Sequence, residues 1–233
     1  MKAFLCGGGD GEEIKDAYTR FNEVIDNSKP LLYIPLAMEE DKYDSCYEWI
    51  TNELKDVSVP KIEMVRDSSE IITKDLNNYS SIFIGGGNTF KLLYDLKRTG
   101  AFEKIREYLN NDGVVFGGSA GTIIFGENLN SCKLDDTNDV GLEDITGFNI
   151  LNGISFLCHY TNRTKEKDEE SKKYLLELSK NSKIIALPEE DTLYINNGDI
   201  EVIGEKPYYL FENKTITELN NKKKRVWLKW IYI

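Results

Sequence analysis

The chain has 233 residues, with 29 Lys and Arg against 40 Asp and Glu, hence a formal net charge of −11 at pH 7. That length suits one domain over residues 1–233 with a sizeable buried core. The acidic balance argues against nucleic acid or an anionic membrane surface as a partner. There is no run of 18 or more apolar residues, and no C-x-x-C spacing joins Cys6, Cys46, Cys132 and Cys158. With a single histidine as well, the sequence speaks against a membrane span and against zinc, and no cofactor is expected. The thiols read as the reduced, structural cysteines of a cytoplasmic protein.

Taken in order, Lys2–Cys6 is a candidate first strand closed by Gly7-Gly8-Gly9. It is too short for a signal peptide, and the glycines lack the G-x-G-x-x-G spacing of a dinucleotide site. Residues 12–24 have helical period, 30–34 form a short apolar strand, and 43–54 form an amphipathic helix with Tyr47, Trp49, Ile50 and Leu54 inward. A weaker strand is expected at 62–65. Ser81–Ile84 is a buried-strand run followed by Gly85-Gly86-Gly87-Asn88-Thr89, with Asn88 placed to cap a helix whose inner face is Phe90, Leu92, Leu93 and Leu96. Gly100 ends that helix, another follows over 101–110, and Val114-Val115-Phe116 enters a small-residue run, Gly117-Gly118-Ser119-Ala120-Gly121.

Residues 128–149 read as an acidic loop. A strand over 154–158 then delivers His159, the lone histidine, ahead of a highly charged helix within 161–182. A strand over 183–187 ends at Pro188-Glu189-Glu190-Asp191-Thr192. Asn196-Asn197-Gly198-Asp199 marks a hairpin, and strands at 200–203, 208–211 and 226–233 make an antiparallel end. The basic run 222–225 is simplest as a solvated turn. Strands alternating with helices imply a mostly parallel sheet covered on both faces, a three-layer αβα architecture. In such sheets chemistry collects beyond the carboxyl ends of the strands, where both glycine loops fall.

Gly117-x-Ser119-x-Gly121 has the spacing of a nucleophile elbow, a sharp strand-to-helix turn that lifts the serine hydroxyl clear of the sheet and frees the next N–H for an oxyanion. An ordinary glycine-rich turn has the same pattern, so the rest of the chain must decide. A serine nucleophile needs a base oriented by a carboxylate, and His159 is the one imidazole on offer. Glu189 and Glu190 close the next strand. Neighbouring strand residues face opposite ways, so at most one of them aims at the ring. Asp139 would instead give the Ser…acid…His order of α/β-hydrolases.

The Gly85–Phe90 loop, the elbow, His159-Tyr160 and Glu190-Asp191-Thr192 together resemble the serine peptidases of the aspartyl dipeptidase (peptidase E) and cyanophycinase family. The resemblance runs through nearly the whole chain. It implies a fold akin to class I glutamine amidotransferases (flavodoxin-like), with serine in place of their cysteine. It also implies Ser119 as nucleophile, His159 as base, Glu190 as orienting acid, and Gly87 and Ala120 as oxyanion-hole donors. Short peptides would be the substrates. Thr137-Asn138-Asp139 resembles a segment near the family's active site, which makes Asp139 a candidate substrate-side or supporting residue; Asn88 and Arg163 are further candidates for contacting substrate. Arg163, Lys165 and Lys167 could supply the cation that an N-terminal Asp requires, although so charged a run also suits a solvated helix face. Two other functions fit the same elbow: a carboxylic-ester hydrolase and a catalytically silent binding protein. Trp227, Trp230 and Tyr232 allow a homodimer.

Overall fold

The computed structural model describes residues 1–220. The expected basic turn at 222–225 and strand at 226–233, with Trp227, Trp230 and Tyr232, lie outside them. In chain order the strands are β1 (Lys2–Cys6), β2 (Leu31–Ile34), β3 (Ile62–Met64), β4 (Ser81–Ile84), β5 (Val114–Gly118), β6 (Ile154–Leu157), β7 (Lys183–Ala186), β8 (Thr192–Asn196), β9 (Asp199–Ile203), β10 (Tyr208–Glu212) and β11 (Thr215–Leu219). The helices are α1 (Lys15–Val24), α2 (Tyr43–Glu53), α3 (Ser69–Thr73), α4 (Thr89–Thr99), α5 (Ala101–Asn110), α6 (Ala120–Ile123) and α7 (Lys165–Leu178).

Seven strands make one sheet in the order β3-β2-β4-β5-β1-β8-β9, parallel from β3 to β1 and antiparallel beyond. The uninterrupted apolar runs form its centre because helices cover both faces there. Ala3, Leu5, Leu32, Ile82 and Val115 pack on one side with α4 and α5, and Phe4, Leu31, Tyr33, Phe83 and Phe116 on the other with α1 and α2. Register places the second set side by side, and its rings stack across four strands: Phe83–Phe116 at 4.8 Å, Phe116–Phe4 at 5.8 Å and Phe4–Tyr194 at 4.3 Å. Such pairs add roughly 0.5–1.5 kcal/mol each beyond the area they bury. The ladder ties the elbow strand to both neighbours.

The second sheet, β11-β10-β7-β6, is antiparallel except for the parallel β6–β7 pair. One face joins the main core through Ile154, Phe156 and Ile185, and the other packs Leu157, Ile184 and Phe211 beneath Leu175 of α7. The antiparallel C-terminal strands are therefore shared between two sheets. Sequence periodicity carries no sign of that division. Tyr47 and Trp49 depart from the inward expectation. Each is 37% exposed, whereas Ile50 and Leu54 are buried. The Tyr47 hydroxyl donates to the Ile62 carbonyl at the sheet edge, and Trp49 leans on Phe83 with ring centroids 6.3 Å apart.

Candidate active site

Ser119 follows β5 directly, with φ 52° and ψ −112°, a strained conformation for a residue with a side chain. The surrounding turn explains the flanking glycines. A Cβ on Gly117 would lie 2.4 Å from the Gly121 carbonyl oxygen, and one on Gly121 would lie 2.1 Å from that of Ile84. The Thr122 hydroxyl bridges the Cys6 and Gly117 carbonyls at 2.7 and 2.8 Å, fastening the elbow to the end of β1.

The second sheet brings the imidazole. His159 lies two residues beyond β6 at φ 57°, and its N–H donates to the Gly7 carbonyl at 2.8 Å. Its Nε2 lies 2.7 Å from Ser119 Oγ, and its Nδ1 lies 2.7 Å from Glu189 Oε1. An ionised carboxylate only accepts, so Nδ1 carries the proton and neutral Nε2 accepts from the serine hydroxyl. The three side chains form one continuous relay. His159 and Glu189 keep 35% and 30% of their side-chain surface exposed, so the relay is open to solvent at its rim.

Glu190 is not the residue on the imidazole. Strand geometry stops at Ala186, and Pro188 leads into a turn where alternation of faces no longer applies. The Glu189 backbone is gripped from both sides: its carbonyl accepts from Gly9 N–H at 3.0 Å, and its N–H donates to Asn162 Oδ1 at 2.9 Å. Glu190 points away, accepting from Asn162 Nδ2 at 3.1 Å and facing Lys206 Nζ at 3.6 Å. Burial pushes the Glu190 carboxyl upward, but the Asn162 amide and the Lys206 charge outweigh it and hold the carboxyl below its ordinary value. Asp139 also lies off the relay, in an exposed loop where it accepts from the Thr137 hydroxyl at 2.7 Å.

The other expected residues are placed as follows. Asn88 caps α4 by accepting from Lys91 N–H at 2.9 Å and donates to the Thr137 carbonyl at 2.8 Å, so its amide links the glycine loop to the acidic loop. Arg163 is spent on the protein itself: on Asp135 and the Cys158 carbonyl, both at 2.8 Å, and on Ser171 Oγ at 2.9 Å. Gly87 is exposed at φ 135°, and Gly86 runs beside Ser119, where an added Cβ would lie 3.2 Å from Ser119 Cβ. Ala120 opens α6. The four cysteines are free, and burial pushes the Cys6 thiol up to about 11 and the Cys158 thiol well above its ordinary value, so neither is set up as a thiolate. Among the described residues no group of three His, Cys, Asp or Glu side chains gathers to hold a metal. A cleft of about 510 Å³ along β3 and α2 contains none of the relay.

Two contributors escaped sequence reading. Gly7-Gly8-Gly9 looked like a plain turn, yet it is the wall against which the imidazole rests. A Cβ on Gly8 (φ +120°) would lie 2.2 Å from His159 Cε1. Asn162 joins the two carboxylate positions to the histidine turn, its own N–H donating to the His159 carbonyl at 3.3 Å. A polar residue three positions after a sole histidine was the available signal.

Fold and site together define an α/β protein with a serine–imidazole–carboxylate relay at the carboxyl end of its central strands. The chain belongs to peptidase family S51, which matches residues 3–203, and its activity is that of a peptidase. Among its relatives, a peptidase E of Nostoc sp. is 29% identical over 193 residues, covering 79% of this chain and 76% of that protein. A peptidase E of Shewanella denitrificans is 28% identical over 215 residues, covering 88% of each. A crystal structure of a peptidase from an acI-B1 Actinobacterium superposes with a TM-score of 0.73 at 19% identity, over 94% of this chain and 93% of that one, a likeness of fold. Among the described residues no helix is long and apolar enough to cross a membrane.

Proposed function

We propose that this chain is a serine exopeptidase acting on very short peptides, of the dipeptidase kind, through Ser119, His159 and Glu189. The single observation that carries the reading is the relay of two 2.7 Å contacts ending on a serine at positive φ. Ser119 Oγ attacks the scissile carbonyl while its proton passes to Nε2. Glu189 holds the ring in the accepting tautomer and stabilises the imidazolium. The Gly87 and Ala120 N–H groups receive the oxyanion, and the bare Gly86 backbone beside Ser119 supports that placement. The tetrahedral adduct collapses as His159 returns the proton to the leaving amine. Water then attacks the acyl-enzyme, His159 accepting its proton and handing it back to Ser119 Oγ. Free buried thiols favour a reducing compartment, in keeping with the cytoplasm.

A fluorophosphonate should label Ser119 at one equivalent per chain and abolish dipeptide hydrolysis, and Ser119→Ala should block both while keeping the native melting temperature. Matched amide and ester substrates separate a peptidase from an esterase. Turnover of the ester alone, or labelling at another serine, would overturn the assignment.

A further inference from the structure

A second cavity is bordered by Gly86, the glycine that runs beside Ser119. It has a volume of about 280 Å³ and is lined by Tyr33, Met38, Ser45, Cys46, Trp49 and Gly86. None of these residues carries a formal charge. Gly86 is shared between cavity and nucleophile, because the Cβ it lacks would lie 3.2 Å from Ser119 Cβ and 3.7 Å from Oγ. Met38 reaches the same loop, with its sulfur 2.9 Å from where a Gly87 Cβ would be. The walls are fixed: Tyr33 is buried and hydrogen-bonded to Cys46, and Trp49 packs its edge on Phe83. Ser45 donates its hydroxyl to the Lys42 carbonyl at 2.7 Å, so it brings no unpaired polar group to the wall.

Topology says which part of a substrate reaches the cavity. Neighbouring strands run β2, β4, β5, β1, and Ser119 stands on β5 between the Gly86 loop after β4 and the Gly8 wall after β1. His159 rests on that wall and must protonate the leaving amine, so the amine lies on the β1 side. An acyl side chain directed away from that amine would run toward the β4 side, where Gly86 borders the cavity. Among the described residues that line it, none offers a carboxylate a cation. Arg163 is consumed by Asp135, Ser171 and the Cys158 carbonyl, and Lys91 by the Leu36 carbonyl at 2.9 Å and Asp95 at 3.3 Å. Burying an ionised Asp without a cation is unfavourable, whereas an apolar side chain gains by leaving water.

We infer that this cavity is the subsite for the acyl-side residue of the substrate and that it selects a large apolar or aromatic side chain over Asp. The inference rests on the serine peptidase reading above. Its test compares X-Ala dipeptides with X as Gly, Leu, Phe or Asp. Leu and Phe should exceed Gly in kcat/KM by about 10- to 100-fold, and Asp should fall below Gly. Cys46→Phe, which fills the cavity, should bring the Phe-to-Gly ratio close to one. A best rate on Asp, or a flat series, would overturn the subsite.

A binding measurement separates this failure from a failure of the catalytic reading. In Ser119→Ala, Phe-Ala should shift tryptophan emission, and the shift should vanish in Ser119→Ala/Trp49→Phe, leaving Trp227 and Trp230 as the background. A native protein without turnover that still shows the Trp49 response refutes the peptidase reading and keeps the cavity as a binding site. Turnover with no Trp49 response refutes the cavity. The binding arm also decides the matter if Cys46→Phe fails to fold.

Discussion

Replacing Glu189 by Gln keeps the side chain's length and removes its charge. The backbone at this position stays pinned by Gly9 and Asn162, so the amide remains beside His159 Nδ1. A carboxylate forces Nδ1 to donate, but an amide can present its NH2 group and favour the tautomer with the proton on Nε2. That tautomer cannot take the serine proton, and the imidazolium formed during attack loses its counter-charge. Loss of a triad acid costs about 10³ to 10⁴ in kcat, equivalent to roughly 4–5.5 kcal/mol of transition-state stabilisation. Glu190→Gln removes a bond to Asn162 and a 3.6 Å contact with a Lys206 whose side chain is 59% exposed. Screened pairs of this kind are worth about 0–1 kcal/mol, so about fivefold or less is expected. The assay is kcat on a dipeptide together with the rate of fluorophosphonate labelling, with melting temperatures to confirm both folds. A thousandfold loss in Glu190→Gln beside a near-neutral Glu189→Gln would refute the reasoning.

Gly8→Ala places a methyl 2.2 Å from His159 Cε1 at a φ of +120°, so the imidazole must move; since an ångström of misplacement costs about 10²-fold, labelling of Ser119 should slow by at least that factor, and an unchanged rate would show that the glycine wall is dispensable. A pH effect on stability is expected at Asp144, whose carboxyl is held well below the ordinary range by the Lys97 ammonium and then by Thr146. A lowered folded-state value contributes stability above the unfolded value of about 3.9, and that contribution disappears as pH falls through the folded value. The melting temperature of the native protein should therefore exceed that of Asp144→Asn at pH 6, and the gap should close steadily below about pH 4; a gap independent of pH would sink this account.

Much of the fold was legible because the central strands are uninterrupted apolar runs, and a parallel sheet covered on both faces demands such runs. Asn88 and Gly100 marked the ends of α4 by local chemistry alone: the asparagine accepts from Lys91 N–H, and the glycine adopts φ 84°. The elbow could be read for a similar reason, since two glycines at fixed offsets are the steric signature of a turn that admits no Cβ. Local rules failed where tertiary contacts decide. Glu189 and Glu190 are indistinguishable by periodicity once Pro188 has ended the strand, and contacts from residues 9 and 162 make the choice. The resemblance pointed to Glu190 whereas the contact with the imidazole falls on Glu189, because a motif fixes a neighbourhood and the hydrogen bonds fix the side chain. Trp49 was misjudged because helical period registers apolar character but cannot tell a core position from the wall of an open cavity.

The division of the chain between two sheets explains why this relay runs Ser…His…Glu. Ser119 follows a strand of the large sheet, while His159 and Glu189 follow β6 and β7, adjacent parallel strands of the small one. Parallel neighbours finish at the same level, Leu157 opposite Ala186, so the segments that follow them emerge together. Tyr160 N–H then donates to the Leu187 carbonyl at 3.0 Å and Leu187 N–H to the Leu157 carbonyl at 2.8 Å, so bonds between these two segments help to set His159 relative to Glu189. The Gly7–Gly9 segment joins that pair to the large sheet, through the bonds from His159 N–H to the Gly7 carbonyl and from Gly9 N–H to the Glu189 carbonyl. Side chains there would separate the sheets, and the three glycines are what this convergence requires.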